Sequence, residues 1–110
     1  MEDFVPYELA VKLDKAGFNY DTKEVYEINV LLERYFEIPK PTISQVLKWL
    51  REEEQIEVNA AWDNRESKWF GYANEMDKPD LVGYHISSNN YDSYEQAALA
   101  EIEYVFDNLI

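Results

Sequence analysis

The sequence predicts an α+β fold in which a three-stranded antiparallel sheet carries helices on one face, with a further helix near the N-terminus. Three observations lead there. Two stretches, 42–54 and 93–109, place apolar residues at helical spacing behind capping-box starts. Between them lie three short segments with the composition or alternation of strands, separated by turn-forming residues. The whole spans 110 residues with 46% hydrophobic residues, which suits one domain over 1–110 able to bury roughly two thirds of its unfolded surface.

In "VPYELAVKLDKAGF", Pro6 suits a helix start, Leu9, Ala10, Leu13 and Ala16 recur at helical spacing, and Gly17 supplies a left-handed stop. Phe18 then follows where a Schellman cap would fold its ring back onto Leu13. The rest of residues 1–40 is ambiguous. Val25, Ile28, Leu32 and Tyr35 fit a helical stripe, Tyr26, Ile28, Val30 and Leu32 fit a strand, and the reading leans to the helix.

Residues 41–110 form the predicted helix, three strands, helix core. Thr42 with Gln45 caps a helix whose apolar face is Ile43, Val46, Leu47 and Leu50. Glu52, Glu53 and Glu54 oppose the helix dipole and predict its end. "QIEVNAAW" alternates as a strand, "DNRES" is a turn, "KWFGYAN" a second strand, "EMDKPD" a loop and "LVGYHIS" a third strand. Ser93 with Gln96 opens the last helix, on which Tyr94, Ala98, Ile102, Val105, Phe106 and Leu109 share one arc, while Gln96, Glu103, Asp107 and Asn108 lie opposite. That stripe is expected to be a core wall rather than a recognition surface.

The order of these elements resembles the topology of double-stranded RNA-binding domains, but order alone does not transfer function. Binding to phosphates needs cations, and "SYEQAALAE" opens the last helix without one. Ten basic residues against 23 acidic ones give a net charge of −13, and each half of the chain holds more acids than bases. Direct nucleic-acid binding and attraction to anionic membranes are therefore disfavoured. The absence of Cys removes disulfides, thiolate nucleophiles and thiolate metal sites. With an acidic "MEDFVPYELA" and no long apolar run, a cytoplasmic location with no membrane span is the expectation.

No chemical signature stands out. His85 is the lone imidazole, with no Cys or second His to help it ligate a metal. Ser87 and Ser88 are its neighbours in sequence, which is not triad geometry. Glu75, Asp77 and Asp80 share a loop but lack the ligand spacing of a calcium loop. No catalytic residue, cofactor site or metal site is assigned, and the chain is expected not to be an enzyme.

The blocks "YELAVKLDKAGF", "PTISQVLKWLREE" and "YDSYEQAALAEI" together resemble a group of short, acidic, uncharacterised proteins of gut Bacteroidales and their phages or mobile elements. The resemblance covers most of the chain, rests chiefly on Pro41, Thr42, Gln45, Trp49, Leu50 and Arg51 at fixed spacing, and is weakest over 19–40. It implies a bacterial or phage origin, an α+β fold and extended structure over 19–40, with no activity or site residues.

The leading functional expectation is a non-enzymatic protein-binding module, with a homodimer among the possible assemblies. Nine Tyr and three Trp motivate it, and Trp49, Trp69, Tyr72 and Tyr84 are the candidate contact residues, because such side chains dominate interface hot spots. The alternative is an acidic DNA mimic that occupies a nucleic-acid-binding host protein. An enzyme is third and would require a closed pocket around His85 or a buried pair of carboxylates.

Overall fold

A computed structural model describes residues 3–30, 34–78, 83–87 and 89–110. The elements run α1 Tyr7–Lys15, β1 Glu24–Val30, β2 Arg34–Lys40, α2 Ile43–Glu53, β3 Ile56–Asp63, β4 Lys68–Glu75, β5 Tyr84–Ile86 and α3 Tyr94–Asn108. This is a mixed α+β chain, and from α2 onward it has the expected order of helix, three strands and helix. Internal packing divides it into two units, 1–46 and 47–110, with the division inside α2.

In the first unit α1 begins directly after Pro6 and ends as its sequence foretells. Gly17 takes φ +94°, its N–H donates to Asp14 O at 3.2 Å, and Phe18 N–H donates to Leu13 O at 3.0 Å. Those are the two bonds of a Schellman cap, and Phe18, like Leu9, Ala10 and Leu13, is buried. The reading of a helix over the next segment is corrected here: β1 and β2 form an antiparallel hairpin in which Glu24 faces Lys40 and Val30 faces Arg34. Two features favour extension. Val25, Ile28 and Val30 are β-branched, and Pro39 lacks the N–H a helix interior requires, while every strand of a two-stranded sheet is an edge that tolerates it.

The hairpin is tied to the N-terminal segment by polar bonds. Tyr26 donates its hydroxyl to Val5 O at 2.6 Å, its ring meets Tyr7 edge-on at 5.6 Å, and Val5 N–H donates to Pro41 O. Thr42 and Gln45 form both arms of the capping box: Thr42 N–H donates to Gln45 Oε1 at 3.0 Å, and Gln45 N–H to Thr42 Oγ1 at 3.2 Å.

The second unit holds the sheet β3-β4-β5, antiparallel throughout, with α3 packed on β3 and β4. α2 ends at Glu53 and Gln55 turns into left-handed backbone at φ 58°, as expected where three acids oppose the dipole. Ser93 Oγ accepts from Gln96 N–H at 3.1 Å to cap α3. Ala98, Ile102 and Val105 of the expected stripe are fully buried, so α3 is a wall of the core. Trp49 of α2 is 2% exposed and stacks on Phe106 of α3, with ring centroids 6.3 Å apart. The third strand is shorter than its segment suggested, and the Leu81 and Val82 assigned to it fall outside the described residues. Among the described residues no helix is long and apolar enough to cross a membrane.

These caps are testable by urea unfolding. Thr42→Ala is expected to lower stability by about 1 kcal/mol through the lost cap. Gly17→Ala should cost a similar amount, about 1 kcal/mol, through backbone strain alone, because a Cβ there meets nothing within 4 Å.

Candidate functional site

Two places in the second unit gather chemistry, one on each side of the sheet. Cross-strand partners share a face, so the register sorts the residues. Val58, Ala73 and His85 form one row, and Ala60 pairs with Gly71 in the next. Gly71 marks this side as the one under α3: a Cβ on it would lie 2.7 Å from Ala97 O and 2.9 Å from Glu101 Cβ. Only a glycine lets the helix come this close.

On that covered side His85 meets Glu101. The imidazole Nδ1 is hydrogen-bonded to Glu101 Oε1 and lies 2.9 Å from Oε2. The Glu101 side chain is fully buried while that of His85 keeps 31% of its surface exposed. Tyr104, one helical step beyond Glu101, stacks on the imidazole with ring centroids 3.5 Å apart and planes 7° from parallel. Burial pushes the Glu101 carboxyl above its ordinary range, and the hydrogen bond and charge of His85 partly offset that push. The three residues line one wall of a concavity of about 330 Å³ with Ser87, Asn89, Tyr91 and Ala100.

As chemistry this is half of a catalytic arrangement. A carboxylate that fixes one imidazole nitrogen is how a general base is oriented. Ser87 Oγ is engaged elsewhere: it accepts from Gly71 N–H at 3.0 Å and donates to Asn89 O at 3.0 Å. Ser88 lies outside the described residues. The packing role of the pair is plain: His85 is the partner that makes a buried carboxylate tolerable beneath α3.

The opposite side of the sheet is not the one on which α3 packs, although Tyr94 of α3 donates its hydroxyl to Asn59 Oδ1 at 2.6 Å. Its register rows are Glu57, Asn74 and Tyr84, then Asn59, Tyr72 and Ile86, then Ala61 and Phe70. Tyr72 and Tyr84 stack diagonally, with ring centroids 5.9 Å apart and planes at 19°. Tyr84 is 40% exposed and Ile86 54%; Trp62, whose register partner Trp69 puts it on the other side, is 48% exposed at the hairpin end. Partial burial, followed by the charge of Glu57, raises the pKa of the Tyr72 phenol. At the hairpin end a concavity of about 480 Å³ opens among Trp62, Asp63, Arg65, Phe70 and Ile86.

Of the four aromatic residues singled out from sequence, the structure brings two together. Tyr72 and Tyr84 form the stack on the open side. Trp49 is withdrawn from the contact set, because its ring is buried against Phe106. Trp69 belongs to the covered side, half-buried and edge-on to both Trp62 at 5.5 Å and Tyr94 at 5.6 Å. Glu101 was missed, although a signal existed: it stands seven residues after Tyr94, and so directly beside the edge of the apolar arc of α3. Exposed Ile86 was missed too, because alternation gives the faces of a strand but not which face is covered, and Trp62 was missed because it is exposed at the end of the hairpin although it shares the covered side with Trp69. Of the acidic loop residues Glu75, Asp77 and Asp80, the last lies outside the described residues, and no group of three metal-binding side chains occurs among those described.

The chain matches no protein-family model, no curated protein and no solved structure.

The Glu101 carboxyl gives a pH prediction. Its folded pKa lies above the ordinary value of 4.5, so its contribution to stability is fully present below about pH 4.5 and is lost as pH rises through the elevated value. In urea melts across this range, the stability of wild type relative to Glu101→Gln is expected to fall with rising pH. His85→Ala should cost about 2 kcal/mol at neutral pH by leaving the buried carboxylate unpaired.

Proposed function

We propose that this chain is a non-enzymatic module that docks a protein partner on the open face of its three-stranded sheet. The observation that carries the reading is the apolar surface of stacked Tyr72 and Tyr84 with Ile86 beside them, continuing into the concavity at Trp62 and Phe70. Water gains by the removal of such a surface, and aromatic rings surrounding a concavity are what interface anchors use. The net charge of −13 supports a protein over a nucleic acid or an anionic membrane as the occupant.

A DNA mimic draws less support from this face. Mimicry needs rows of free carboxylates, whereas the acids here are Glu57 and Asp63, and Asp63 Oδ1 already accepts from Arg65 N–H at 2.9 Å. Catalysis draws less support from the other face, where His85 has an orienting carboxylate but the described serine beside it, Ser87, is bonded to Gly71 N–H and Asn89 O.

The test separates surface from core. Tyr84→Ala with Ile86→Ala alters exposed positions and should leave the melting midpoint close to wild type, within about 0.5 kcal/mol per site. Retention of the partner on immobilised protein, in low and in high salt, should be lost in this double variant. Sedimentation equilibrium of the isolated chain covers the case in which the partner is a second copy. Trp49→Ala should instead lose about 3–5 kcal/mol of stability as a core truncation. Partner retention that survives the double variant would remove the sheet face from the reading.

A further inference from the structure

We infer that Glu57, Tyr72 and Tyr84 form a binding site for an arginine side chain presented by the docked protein segment. The inference rests on the sheet-face reading above and names the chemistry of what that face receives.

Geometry supplies the first argument. Glu57, Asn74 and Tyr84 are consecutive partners across the three strands, and Tyr72 lies one row along, stacked on Tyr84. A carboxylate and a pair of nearly parallel phenol rings therefore share one end of the open face. The closeness of Glu57 to Tyr72 is also visible in the phenol, whose ionisation the carboxylate opposes.

Charge supplies the second. Glu57 is half-buried beside aromatic rings, and among the described residues no Lys or Arg is paired with it. The other charged residues on this side are accounted for: Asp63 by Arg65, and Lys68 by Asp92 at 2.8 Å. The chain carries 23 acidic residues against 10 basic ones, so a cation must come from outside more easily than from within. A second copy of an equally acidic chain is a poor source of one.

Side-chain chemistry supplies the third. A guanidinium is planar, lies flat on aromatic rings and offers a fork of N–H donors to a carboxylate, whereas a lysine ammonium is a strongly hydrated point charge that uses the rings less well. Four residues of strand separate the Glu57 row from the Ala61 and Phe70 row, about 13 Å. The segment thus places its arginine at one end of the face and an apolar side chain at the concavity by Phe70 and Trp62.

The probe is a nine-residue peptide carrying one arginine and, four positions away, one leucine, compared with the same peptide carrying citrulline, which keeps the shape and loses the charge. Both are titrated into the full chain and followed by amide chemical shifts. The expected result is tighter binding of the arginine peptide by at least about threefold, shifts centred on residues 57, 72 and 84, and loss of that preference in Glu57→Gln. Tyr84→Leu, which keeps an apolar side chain at an exposed position, should weaken the arginine peptide more than the citrulline one. Equal binding of the two peptides on this face would overturn the arginine site and leave the docking face standing. Shifts scattered over other acidic residues and unchanged by Glu57→Gln would also overturn it, as attraction by net charge alone. Failure of both peptides to perturb the face, together with partner retention by the Tyr84 and Ile86 double variant, would overturn the docking reading itself.

Discussion

The second unit depends on one close contact, that of Gly71 with α3. The missing side chain lets the backbone at Ala97 and the Cβ of Glu101 settle against β4 at distances that any Cβ would forbid. From that approach the rest follows. Ala97, Ala98, Ile102 and Val105 of α3 and Val58 and Ala73 of the sheet are all buried, and Glu101 is carried below the surface with them. A carboxylate placed there needs a partner, and His85, facing α3 on the neighbouring strand, supplies it. The two sides of the sheet then have different fates: one is closed by a helix and a polar pair, and the other keeps its aromatic rings at the surface.

The His85, Glu101 and Tyr104 cluster combines an oriented imidazole with a role in packing, because His85 gives the buried Glu101 carboxyl a partner. An oriented imidazole is necessary for general-base chemistry but does not define a reaction without something for it to activate. Here the nearest serine in sequence, Ser87, is hydrogen-bonded to Gly71 N–H and Asn89 O, between β4 and the chain beyond β5. The open face has the opposite character. Tyr72 stacks on Tyr84 there, with Tyr72 half-buried and Tyr84 exposed, so neither ring is withdrawn from the surface.

The two units are built by different means. In the first, short-range devices dominate: the Schellman cap at Gly17 and Phe18, the reciprocal bonds of Thr42 and Gln45, and the hydroxyl of Tyr26 on Val5 O. In the second, the long-range pairing of three strands and the fit of α3 on them do most of the work.

Sequence by itself determined the elements whose signals are local. The caps at Gly17, Thr42 and Ser93 each need only a residue and its neighbours within a turn, and the strands β3 and β4 announce themselves by composition, alternation and the turn between them. It left residues 24–40 undecided because a short apolar run carries both periods, and only the partner strand across the hairpin, with Pro39 at an edge, selects extension. Tertiary structure alone decided which aromatic rings are core and which are surface. Trp49 and Tyr84 are equally fit for an interface by residue type, yet one is stacked under Phe106 and the other stands open, because burial belongs to the packing of distant segments rather than to the residue. The same holds for Glu101 and His85, 16 positions apart in the chain, whose pairing exists only once Gly71 has let α3 down onto the sheet.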